Sequence, residues 1–170
     1  MIYLNSMKLF DEKKRNLFWR IYSYEIPSIL IWLALVFLAL TAYSKFLGKG
    51  DFSPVITLYF AMIALVIALA SVTFAFSKTK EGGDKEFLTS AGELFLYASL
   101  ALISSLLISW LSFEAKSFLK DYPFYKYYSY ILILIFSWGQ SFLLFAANSL
   151  HKALVDLESY LWFRVREKIK

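Results

Sequence analysis

Residues 128–150 carry no charged side chain and only two amides, Gln140 near the middle of the run and Asn148 near its end. A helix rises 1.5 Å per residue, so a stretch of this length spans a hydrocarbon layer of roughly 30 Å. The run therefore predicts a transmembrane helix, and the rest of the chain has to be read with a bilayer as its solvent. Beyond it the helical rhythm continues but the solvent changes. From His151 to Lys170 the chain passes through Lys152, Asp156, Glu158, Arg164, Arg166, Glu167 and Lys168, a charged extension outside the membrane.

Three more segments repeat the apolar pattern. Residues 26–44 form the first span, with Pro27 in its opening turn, where a missing N–H costs nothing. A polar turn holding Lys45, Gly48, Lys49, Gly50 and Asp51 follows, and Pro54 is placed to start the second span, 55–76. The connection SKTKEGGDKE, with Gly82 and Gly83 at its turn, belongs in water. The third helix is expected to begin near Phe87, with Thr89 or Ser90 as N-cap and Glu93 at the positive end of its dipole, and to span 91–113. Residues 114–127 read as an amphipathic, aromatic loop resting on the membrane surface, with Pro123 closing it. The fold class is thus all-α: an integral membrane four-helix bundle of two antiparallel transmembrane hairpins over 26–150. An amphipathic basic segment, 1–25, precedes it, and an extended helix, 151–170, follows.

Composition supports this reading. The chain is 59% hydrophobic, against the roughly 45–50% apolar share of a soluble domain. The net charge of +5 does not point to nucleic acid, because lysines and arginines border the apolar runs rather than forming one stripe. They fit orientation and anionic lipid instead. Thirteen basic residues fall on the side of the termini and of the 77–86 connection, and five (Lys45, Lys49, Lys116, Lys120 and Lys126) on the other. Since basic loops stay inside, the expectation is a multi-pass protein of the cell membrane with both termini cytoplasmic. The N-terminus has neither the apolar core nor the cleavage site of a signal peptide.

Helices in lipid associate through close contact and polar links, so small residues mark contact faces. Ala61, Ala64, Ala68, Ser71 and Ala75 form one such stripe on the second helix, and Ala98, Ala101, Ser105, Ser109 and Ser112 another on the third. These stripes are candidates for packing on each other or on a neighbouring subunit, which would make the second and third helices interior. On the fourth helix Ser137, Gln140, Ser141, Leu144, Ala147, Asn148 and His151 recur at about 3.5 residues, opposite the bulky Ile131, Leu132, Ile135, Phe142 and Phe145. Two readings follow for Ser137, Gln140, Ser141, Asn148 and His151. Polar groups at membrane depth can line a path or solute site. Alternatively, Gln140 bonds a neighbouring backbone or Ser104 and Ser105, fixing register at a gain of about 0.6 kcal/mol. The structural reading is favoured, since neither Gln140 nor Asn148 is ionisable. Gly139 lets another backbone come close. Past the membrane, Leu150, Leu154, Leu157 and Leu161 repeat at steps of 4, 3 and 4 and form a docking ridge, for a second copy or for the membrane surface.

Known chemistry leaves few traces. There is no cysteine and one histidine, so thiolate and histidine metal sites within one chain are not expected. Phosphate-loop, nucleophile-elbow, potassium-filter and arginine-ladder patterns are missing. No cofactor and no catalysis are expected. The leading expectation is a non-enzymatic membrane subunit that assembles with itself or with a membrane partner. The alternatives are a small channel or transporter with its site on the fourth helix, or an enzyme acting on lipid.

Overall fold

A computed structural model describes residues 26–48 and 51–169, all-helical apart from short turns. The expected amphipathic segment 1–25 and the side chain of Leu161 lie outside the described residues. Four helices follow in order: α1, Ile26–Leu47; α2, Ser53–Ser77; α3, Gly82–Leu119; and α4, Tyr125–Ile169. Each is long and apolar enough to cross a membrane, α4 through its Tyr125–Glu158 part. At 1.5 Å per residue the 22 and 25 residues of α1 and α2 are membrane length, whereas the 38 of α3 and 45 of α4 extend beyond it.

Helix α2 runs antiparallel to α3 and α1 antiparallel to α4, and side-chain pairs fix the register of each. On α2 and α3, Phe52 stacks on Phe113 at 4.9 Å, Tyr59 meets Ser105, and Phe74 lies beside Gly92. On α1 and α4, Phe46 stacks on Phe136 at 4.1 Å, Tyr43 donates to Ser137 at 2.9 Å, and Ser28 meets His151 at 2.9 Å. The α3–α4 pair is tied by Ser90, which donates to the Asp156 carboxylate at 2.5 Å, and by Gln140, which donates to Ser109. Contacts between α3 and α4 are the most extensive, and α2 lies against α3, with α1 more lightly held by α4 and α2.

The centre of the bundle is therefore α3 and α4, not α2 and α3 as the small-residue stripes imply. The most apolar windows of α1 and α2 are 22% and 28% buried, against 44% and 39% for α3 and α4. Packing explains the difference. The small face of α3 (Ala98, Ala101, Ser105, Ser109 and Ser112) is wholly buried and makes room for larger side chains. What α2 turns inward is Val55, Tyr59, Ile63, Val66, Ala70, Thr73 and Ser77. Its small stripe, Ala61, Ala64, Ala68, Ser71 and Ala75, faces outward instead. The outside of the bundle is otherwise bulky and apolar, with Phe37, Leu40, Leu65, Leu111 and Leu134 exposed, as a lipid-facing surface requires.

Two boundaries differ from expectation. Helix α3 begins at Gly82, whose φ of +60° a side chain would strain, after an extended Glu81 that makes no side-chain cap. Ser90, expected as a cap, lies inside the helix and bonds Asp156 instead. At the other end α3 continues through 114–119, where Ala115 and Leu119 pack against the core, so only 120–124 form a turn around Pro123.

Candidate functional site: a buried chain of neutral oxygens

Four polar side chains from three helices meet inside the apolar bundle. Tyr59 of α2, Ser105 and Ser109 of α3, and Gln140 of α4 are all buried, Tyr59 completely and Gln140 to 7% exposure. Tyr59 and Ser105 hydroxyls lie 2.7 Å apart, Tyr59 donates to Gln140 Oε1 at 3.4 Å, and Gln140 Nε2 donates to Ser109 Oγ at 2.6 Å. A phenol has one proton to give, so once it points at Gln140 the Ser105 hydroxyl must donate to Tyr59. The donors then run one way, Ser105 to Tyr59 to Gln140 to Ser109. The 3.4 Å link is its weakest joint, since hydroxyl bonds are ordinarily nearer 2.8 Å.

Local sequence explains why these groups meet. Gly139 packs directly on α3: a Cβ there would stand 2.7 Å from Ile108 Cγ2. With no side chain at 139, α4 approaches closely enough for the neighbouring Gln140 to reach Ser109 rather than only its own helix. In hydrocarbon an unbonded amide costs several kcal/mol, so the partners hold Gln140 inward.

The expected stripe on α4 does not stay together. Gln140 and Ala147 are buried and Ser137 and His151 half-buried, each of these polar residues bonded to another helix, whereas Ser141, Leu144 and Asn148 are exposed. Ser141 bonds only its own helix, at Trp138 O. Asn148 and Ser141 therefore do not share a face with the cluster: seven residues at 3.5-residue spacing spread over too wide an arc of one helix. On the opposite side Leu132 is buried rather than exposed. Of the docking leucines, Leu150 lies in the core and Leu157 packs against it, with Leu154 half-buried, so the ridge begins as packing within the chain. Gln140 bonds Ser109 directly and Ser105 only through Tyr59, while Ser104 bonds Leu100 O. Tyr59 is the member the sequence reading missed. Its signal was a tyrosine more than one helical turn inside the purest apolar run, deeper than an interfacial belt.

Comparison with known protein families decides the family. The cation efflux transmembrane domain matches residues 25–150, that is, all four spans and most of the 170 residues. The chain belongs to the cation efflux family. No curated protein and no solved structure matched it. This cation efflux domain is a multi-pass, all-helical membrane protein, and its buried oxygens lie within the matched region. Among the described residues no three His, Cys, Asp or Glu side chains come together as a metal site. The donors gathered at its centre are uncharged.

Proposed function

We propose that this cation efflux domain is a transport subunit that moves a cation across the membrane, with Tyr59, Ser105, Ser109 and Gln140 on the path. The observation that carries the proposal is that the family match covers the same four spans in which these neutral oxygens are buried together. Their chemistry suits a hard cation, because hydroxyl and amide oxygens bind such ions while soft metals favour thiolate. Hydrogen-bonded to one another, the four oxygens form the closed state of the path, and a passing ion replaces their mutual bonds. The lysine and arginine distribution supports a cytoplasmic side for both termini. The test is tracer flux through the full chain reconstituted in liposomes, across sodium, potassium, magnesium, manganese and zinc. Flux above protein-free vesicles, strongest for the hard ions, is expected. Background flux for every ion would overturn the proposal.

The outward stripe of α2 supports a second element, assembly through this helix. Ala61, Ala64, Ala68, Ser71 and Ala75 offer a narrow, smooth strip on a surface otherwise built of leucine and phenylalanine, which lets another helix approach. Ala68→Leu is expected to lower the mass of the detergent-solubilised particle without unfolding the chain. An unchanged mass would remove α2 from the interface.

A further inference from the structure

Where α1 and α3 end and α4 begins, an open cavity of about 380 Å³ is lined by Leu47, Phe113, Lys116, Ser117, Lys120 and Tyr125 among others, with no carboxylate among the described residues of its wall. Lys116 and Lys120 are one helical turn apart, so their ammonium groups approach the same space from the same face of α3. Lys116 is held there by α1. Its Nζ donates to the Phe46 carbonyl, one of the last carbonyls of that helix, and lies 4.9 Å from the centre of the Phe46 ring. An ammonium has three protons to donate, so two remain. Ser117 and Tyr125 add hydroxyls, and Leu47 and Phe113 an apolar flank. Glu114 and Asp121, the nearest acids on this stretch of chain, do not line the cavity. The cavity sits where the apolar runs stop, the level of lipid headgroups.

We propose that this cavity binds a phosphate group, either the headgroup of an anionic phospholipid whose acyl chains lie along Leu47 and Phe113, or free phosphate. Two ammonium groups and two hydroxyls around one concavity match the charge and the acceptor oxygens of phosphate, and the apolar flank distinguishes a lipid from the bare ion. The site is independent of the transport reading, because it stands at the end of the bundle rather than among the buried oxygens.

The test uses the full chain, purified and delipidated, with native mass spectrometry after adding phosphatidylglycerol, phosphatidylcholine or inorganic phosphate. Preferential retention of phosphatidylglycerol is expected, weakened roughly fivefold for each lysine removed in Lys120→Met and in Lys116→Met with Lys120→Met. Lys120→Met leaves the Lys116 contact to α1 in place and keeps the test valid if the double variant misfolds. Inorganic phosphate binding that needs the same lysines, without preference between the lipids, assigns the site to free phosphate. Lysine-independent binding of all three overturns the proposal.

Discussion

Replacing Gln140 with leucine is expected to reduce cation flux in proteoliposomes by about tenfold or more, the equivalent of about 1.4 kcal/mol or greater at the ion's path. The side chain is the only one of the four to bridge α2 and α3 from α4, accepting from Tyr59 and donating to Ser109. Leucine matches its volume approximately but offers no oxygen. Stability should fall by no more than a similar amount. An interhelical polar link in a membrane averages about 0.6 kcal/mol and reaches about 2 at most, and Tyr59 retains its bond to Ser105 in the variant. Tyr59→Phe, which keeps the ring and removes the central hydroxyl, should reproduce the flux defect. A pure brace predicts the opposite: a small loss of melting temperature in detergent with flux intact.

The second large effect is expected at Gly139. In Gly139→Val the new Cβ falls 2.7 Å from Ile108 Cγ2 and 2.9 Å from Ile108 Cβ. Ile108 is β-branched and stiff at χ1, so it cannot swing aside. α3 and α4 must separate, and since this pair makes the most extensive contact in the bundle the cost should reach about 1–3 kcal/mol. Denaturant unfolding in detergent measures it. Ile108→Ala combined with Gly139→Val should recover part of the loss, because Cγ2 is gone while the Cβ at 2.9 Å stays, and Ile108→Gly combined with Gly139→Val removes both crowding atoms. At Gly92 a Cβ would meet the Phe74 ring at 2.9 Å, a half-buried side chain that can turn, and the buried Thr73 Oγ1 at 3.0 Å.

These two positions also show what was legible in the sequence. Four spans were readable because a bilayer demands some twenty consecutive apolar residues, a signal that survives without tertiary context. Gly139 and Gln140 stood out for the same reason, as a gap and a polar group where lipid tolerates few. What could not be read was the partner of each face. On α2 the stripe Ala61, Ala64, Ala68, Ser71 and Ala75 and the inward face Val55, Tyr59, Ile63, Val66, Ala70, Thr73 and Ser77 share one helical spacing, so hydropathy cannot choose between them. Size complementarity chose: the small face of α3 takes the larger face of α2, which leaves the small face of α2 outside. The extension of α3 to Leu119 was hidden for a related reason. Charged and aromatic residues from Glu114 onward resemble a surface loop, yet Ala115 and Leu119 continue the buried side of the helix.

The buried oxygens are proposed to lie on an ion's path rather than only to brace the bundle. The chain contains no cysteine, so Ser109→Cys introduces a single thiol at the end of the oxygen chain. Its reaction with a water-borne, membrane-impermeant thiol reagent, with Thr79→Cys in the exposed α2–α3 turn as the reactive control, is the most direct measurement. Modification that is slowed by the transported ion, relative to an equal concentration of a cation that is not transported, is the predicted result. A thiol at 109 that stays unmodified in every condition while the one at 79 reacts would contradict it.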